Sequence, residues 1–127
     1  MVSAKHVLLA EDEPNIVESL SFLLERAGFQ VSVARDGREA LEAVLAKPPD
    51  VLVLDVMLPE LDGYEVLRKL RADGRCEHLP VLMLTAKGQR EDRETALDCG
   101  ADLFMTKPFS NAEITAAVKR LASGEAG

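Results

Sequence analysis

The sequence predicts an α/β domain in which a doubly wound, five-stranded parallel sheet carries helices on both faces. Short runs rich in branched apolar residues alternate with amphipathic stretches: Val7–Ala10, Gln30–Ala34, Val51–Leu54, Val81–Leu84 and Leu103–Thr106. The central runs are apolar at every position, as strands covered on both faces must be. Strand and helix signals alternate throughout, which gives five βα units, and right-handed crossovers then distribute the five helices over both faces. Such a chain suits the 2-1-3-4-5 strand order of a flavodoxin-like three-layer sandwich, with its switch point between the first and third strands.

Each element has its own signal. After the first strand, Glu13-Pro14 opens a helix, because proline suits the first turn, and Ile16, Val17, Leu20, Leu23, Leu24 and Ala27 follow at helical spacing up to Gly28. The second strand leads into Asp36-Gly37-Arg38-Glu39, whose Asp-x-x-Glu spacing is that of a capping box before Ala40, Leu41, Val44 and Leu45. Pro48-Pro49 stops that helix. The third strand leads through Pro59 to Asp62-Gly63-Tyr64-Glu65, a second cap, before Val66, Leu67 and Leu70 on one helix face, with Gly74 at the exit. The fourth precedes a charged helix start at Arg90 to Glu94, which ends near Cys99-Gly100. The fifth precedes Ser110-Asn111-Ala112-Glu113, a third capping-box match.

With 127 residues the chain has room for one domain, its core at about 5–121, with 122–127 as a flexible tail or the start of a linker. The hydrophobic share of 47% and charged share of 29%, without biased stretches, exclude a disordered chain. No run approaches a membrane span and the N-terminus lacks a signal segment, so a cytoplasmic location is expected. A formal charge of −7 disfavours direct nucleic-acid binding, which needs clustered cations to replace phosphate counterions. Cys76 and Cys99 form no metal-ligand pattern and read as reduced and structural.

Polar residues stand where the runs end: Glu11-Asp12, Asp55, Thr85 and Lys107. In a parallel sheet these ends share the carboxyl edge, where open α/β sheets place their sites. Three carboxylates there would repel by about 4 kcal/mol per pair at ~4 Å and an effective dielectric of ~20. Such a cluster calls for a cation, and hard oxygen ligands suit Mg²⁺ or its substitute Mn²⁺. A metal, Lys107 and the Thr85 hydroxyl together make a receptor for a phosphoryl group. Asp55, the lone acid after the central strand, is the candidate nucleophile, since carboxylates form aspartyl phosphates. Ala86 is small enough to leave the approach open.

In their order, Leu8-Leu9-Ala10-Glu11-Asp12-Glu13, Leu54-Asp55-Val56-Met57-Leu58-Pro59 with Asp62-Gly63, Met83-Leu84-Thr85-Ala86, Gly100-Ala101-Asp102 and Thr106-Lys107-Pro108-Phe109 span nearly the whole chain. With them the sequence resembles the receiver domain of two-component response regulators, the CheY-like family. The resemblance implies that Asp55 accepts a phosphoryl group from a phosphohistidine, and that Asp12, Asp55 and the Met57 backbone carbonyl bind Mg²⁺ with help from Glu11. It implies that Thr85 and Lys107 hold phosphoryl oxygens, that the Lys107–Pro108 peptide is cis, and that Thr85 and Phe104 form the switch. Met57, Ala86 and Lys87 then govern phosphate access and hydrolysis rate, with apolar Met57 giving a slowly decaying phosphoprotein. The fourth helix, fifth strand and fifth helix form the implied output face.

Expected partners follow from the same resemblance: a sensor histidine kinase or histidine phosphotransfer protein, and a downstream target or covalently linked output domain. The Asp-Val-Met-Leu-Pro segment looks most like the subgroup carrying a winged-helix DNA-binding domain. Leu103 and Ala117, however, stand where that subgroup's dimer face has an acid and an arginine, so a monomer or a weak phosphorylation-dependent dimer is expected. Three competitors are weaker. A haloacid-dehalogenase-type phosphatase needs an acid where Met57 stands, and a flavin carrier needs a phosphate cradle where Glu11-Asp12-Glu13 would repel phosphate. A pseudo-receiver that binds partners without phosphorylation would have lost an acid, the Thr or the Lys. The expectation is therefore a switch that catalyses its own phosphorylation and slow dephosphorylation, rather than an enzyme acting on a separate substrate.

Overall fold

Branched aliphatic side chains fill the middle of the molecule so completely that β3 (Val51–Asp55) and β4 (Val81–Thr85) are buried at every position. The computed structural model describes residues 4–86 and 90–124. Before these strands come β1 (His6–Ala10), α1 (Pro14–Arg26), β2 (Gln30–Ala34) and α2 (Gly37–Ala46). α3 (Gly63–Ala72) lies between β3 and β4, and α4 (Arg90–Asp98), β5 (Leu103–Thr106) and α5 (Asn111–Ala122) follow. The sheet is parallel throughout, in the predicted order β2-β1-β3-β4-β5. Of the expected tail, residues 125–127 lie outside the described residues, as does Lys87.

Period-two alternation divides the core. Leu8, Ala10, Leu52, Leu54, Val81 and Met83 face one side with Val44 of α2, Leu67 and Leu70 of α3 and Ala96 of α4. Val7, Leu9, Val53, Leu82 and Leu84 face the other with Leu20 and Leu24 of α1 and Ile114, Val118 and Leu121 of α5. Burying a Leu or Ile side chain of this kind contributes roughly 1.5–3 kcal/mol each, so the two clusters set the register of the sheet. β2, at an edge, is the strand that alternates exposed with covered residues.

The caps fall where the sequence places them. Glu13 caps α1 through the Asn15 N–H at 3.2 Å, Asp36 caps α2 through the Glu39 N–H at 2.7 Å, and capping boxes close at Asp62–Glu65 and Ser110–Glu113. Two departures are local. α3 ends at Ala72, ahead of a 3₁₀ turn at Gly74–Cys76. Asp55 and Thr85 are the last residues of their strands rather than the first beyond them, because the ladder continues through Val56 N–H to Leu84 O (2.9 Å) and Lys107 N–H to Thr85 O (2.7 Å).

At the amino edge of β4 and β5, Arg71 of α3 is saturated with acceptors. Its guanidinium donates to Gly100 O at 3.1 and 2.7 Å, to Cys76 O at 2.8 Å, to Glu77 O at 3.3 Å and to Asp102 Oδ2 at 3.2 Å. The same Asp102 oxygen accepts the Val81 N–H at 2.8 Å. No helix among the described residues is long and apolar enough to cross a membrane.

Candidate functional site

Parallel pairing brings residues distant in sequence to one rim. Ala10 is level with Leu54, Asp55 with Leu84, and Thr85 with Thr106, so the residues that follow converge at the carboxyl edge. Among the described residues, the buried polar or charged side chains are Glu11, Asp55 and Thr85, and all three stand at that edge. Burying polar groups is costly unless they are paired, so their concentration in one place demands a reason.

Glu11 is fully buried and holds two kinds of donor. Its Oε2 accepts the N–H groups of Asp12 and Glu13, both at 3.1 Å, while Oε1 accepts from Lys107 Nζ at 2.8 Å. Lys107 Nζ also lies 3.3 Å from Asp55 Oδ2. The other Asp55 oxygen faces the Met57 N–H at 3.4 Å. Burial pushes the Glu11 carboxyl above its ordinary value; the Lys107 contact pulls it down without cancelling that effect, and nearby Asp55 adds to the rise. For Lys107, burial disfavours the charge, but Glu11 and Asp55 outweigh it and its pKa is raised.

Carboxylate oxygens of Glu11, Asp12 and Asp55 lie within 4.8 Å of one another. Three acids face one lysine, so the ionised cluster carries an excess of two negative charges. Its donors are all carboxylate oxygens, which fit a hard divalent cation and not a soft one. Asp12 is exposed and keeps the cluster open to solvent.

Around the acids, Ala86, which follows Thr85, is exposed, and Met57, whose N–H faces Asp55, is 66% exposed. The Lys107–Pro108 peptide is cis. Phe104 is half-buried and packs against the core cluster shared by α3 and α4. The two Asp-Gly pairs read as caps in the sequence have a further part. Gly37 and Gly63 are buried and press on the β3–α3 segment that carries Met57. Their signal in the sequence is the glycine after the cap, which a cap alone does not require.

The response regulator receiver domain model matches residues 7–119. The chain is 48% identical over 117 residues to the alkaline phosphatase synthesis transcriptional regulatory protein PhoP of Bacillus subtilis, a match covering 92% of this chain and 48% of PhoP. It thus spans about half the length of the curated relatives it matches. Among solved structures it is similar to the receiver domain of sensor histidine kinase PA1611 from Pseudomonas aeruginosa, which has a magnesium ion coordinated in its active site cleft. That likeness has a TM-score of 0.88 and 31% identity, covering 94% of this chain and 98% of that one. The chemotaxis response regulator CheY4 of Vibrio cholerae is similar at TM-score 0.88 and 30% identity, covering 93% and 98%.

Proposed function

This chain belongs to the response regulator receiver domain family, and on that premise we propose that it is a signalling switch phosphorylated on Asp55 by a histidine kinase or histidine phosphotransfer protein. The observation that carries the proposal is the buried, under-neutralised edge: Glu11 and Asp55 beside Lys107, with Asp12 completing the acid cluster.

Glu11, Asp12, Asp55 and the Met57 backbone carbonyl are the proposed holders of Mg²⁺, for which Mn²⁺ can substitute. A divalent ion held by these residues would offset charge on the cluster and on phosphoryl oxygens. A carboxylate oxygen of Asp55 forms the O–P bond as the P–N bond to the donor imidazole breaks, and the imidazole leaves with the electron pair. Lys107, held between Glu11 and Asp55, is placed to offset the charge of a phosphoryl oxygen, and the Thr85 hydroxyl takes another. Those contacts favour one of two arrangements of Thr85 and Phe104, and the phosphoryl group shifts the balance by its difference in affinity for them.

The reading places the chain in the cytoplasm, with a protein target or a covalently linked output domain downstream. Intact mass after incubation with acetyl phosphate tests it. One phosphoryl group should be gained by the native chain with Mg²⁺, and none with a chelator or in Asp55→Asn. A folded native chain that gains nothing under any condition would favour the phosphorylation-independent pseudo-receiver. Exposed, apolar Met57 neither orients nor activates water, so the phosphorylated chain should decay more slowly than its Met57→Asn counterpart; equal decay would remove that role.

A further inference from the structure

The segment joining β3 to α3, residues 56–62, is pinned at two places, and the second pin comes from a helix outside the acidic cluster. At its neck, the Gly63 N–H donates to Val56 O at 2.8 Å. A Cβ on Gly63 would stand 2.5 Å from the Asp55 carbonyl oxygen and 2.9 Å from Val56 Cα. At its far end, Pro59 O accepts from both the Leu61 N–H and the Gly37 N–H, each at 2.9 Å. The Leu61 bond closes a three-residue turn around Glu60, whose φ of 72° is the positive value at a non-glycine residue among those described. Turns with that sign at the centre are rare and strained, so the surroundings must hold them.

Gly37 is the first residue of α2, is buried, and does not have a positive φ. Its backbone would accept any residue; the space would not. A Cβ there would overlap the Leu61 carbonyl oxygen and stand 2.6 Å from both C and Cβ of Leu61. Those atoms are backbone, or fixed to it, and yield only if the segment moves. Between the two pins lie Met57 and Leu58: Leu58 is buried, and the Met57 N–H reaches the Asp55 carboxylate at 3.4 Å.

We infer that Gly37 is a positioning residue for the phosphorylation site: its missing side chain lets α2 press on Leu61 and hold Met57 against Asp55 in the geometry that receives the cation. The inference rests on the Mg²⁺ site proposed above. Alanine is the better helix former at this position, so local propensity favours Gly37→Ala and any loss must come from the contact.

Calorimetric titration with Mg²⁺ of the native chain, Gly37→Ala, Val44→Ala and Gly74→Ala tests it. Val44 is buried in the same helix and reports what lost stability alone does, while a Cβ on Gly74 meets nothing within 4 Å. The Kd for Mg²⁺ should rise about tenfold or more in Gly37→Ala, as for other supports of metal ligands, and less than about twofold in the two controls. Native affinity in Gly37→Ala, or an equal loss in Val44→Ala, would overturn the role. Absence of saturable binding by the native chain would overturn the metal reading and this role with it. Should Gly37→Ala not fold, hydrogen exchange on the native chain decides. Saturating Mg²⁺ should protect the Gly37 and Leu61 amides about tenfold, because coupling between sites is reciprocal; unchanged exchange would contradict it.

Discussion

Two cations stand at opposite edges of the sheet, and they are partnered in opposite ways. At the amino edge, Arg71 meets three neutral carbonyl groups and one carboxylate, Asp102, so its donors are used and its charge is balanced. At the carboxyl edge, Lys107 stands between two buried carboxylates, and a third acid, Asp12, brings an oxygen within 4.8 Å of theirs. The first arrangement is complete and holds loops in place. The second lacks positive charge and is therefore ready for a ligand. Saturated geometry marks a structural ion pair, and unbalanced charge marks a working one.

The largest expected effect separates the two edges by chemistry. Lys107→Met should slow phosphorylation by acetyl phosphate about 10²-fold or more, as loss of a group that stabilises transition-state charge does, while Arg71→Met should leave the rate within about twofold. Intact-mass time courses read both; similar rates in the two variants would erase the distinction. Stability should divide them the other way. Arg71→Met leaves Gly100 O without its two guanidinium donors and removes one donor each from Cys76 O and Asp102, and should cost about 1–3 kcal/mol by urea denaturation.

A smaller effect sharpens the charge argument. Folding raises the Glu11 pKa above 4.5, so the folded chain binds more protons than the unfolded chain as pH rises through that window. Glu11 therefore subtracts stability from about pH 4.5 upward until it ionises in the folded state too. Denaturation midpoints across this range should fall less steeply with rising pH in Glu11→Gln than in the native chain. Mg²⁺ affinity of the native chain should weaken on acidification through the same window, because the ion requires the ionised carboxylate.

The smallest effect belongs to Asp73, whose carboxyl the Arg75 guanidinium and N–H hold down at about 2. Its contribution is present above pH 3.8 and is lost as pH falls toward about 2. The pair is exposed, so Asp73→Asn should lower stability only slightly at neutral pH, and that small difference should vanish on the acid limb of a stability profile as pH falls toward about 2.

Much of this was legible in the residues, for physical reasons. A run such as Val51–Leu54 is a buried strand because nothing in it tolerates water on either face, and a polar residue at the end of such a run has to be at the rim. Parallel order then brings Asp12, Asp55, Thr85 and Lys107 together without further information. What the residues did not reveal depends on distances between elements. Lys107 bonds Glu11 across 96 positions, a choice among acids that only the register makes. Nothing in the sequence pairs Arg71 with Asp102, 31 positions apart; the fold brings Asp102 to Arg71 and to the Val81 N–H. Gly37 followed a good cap and so seemed explained; the closeness of Leu61 is a tertiary fact.

Calorimetric titration of Mg²⁺ into the native chain, Asp55→Asn and Arg71→Met tests the contrast between the edges most directly. One saturable site, kept in Arg71→Met and weakened about tenfold or more in Asp55→Asn, is the predicted result. Binding equally strong in Asp55→Asn, or absent from the native chain, would contradict it.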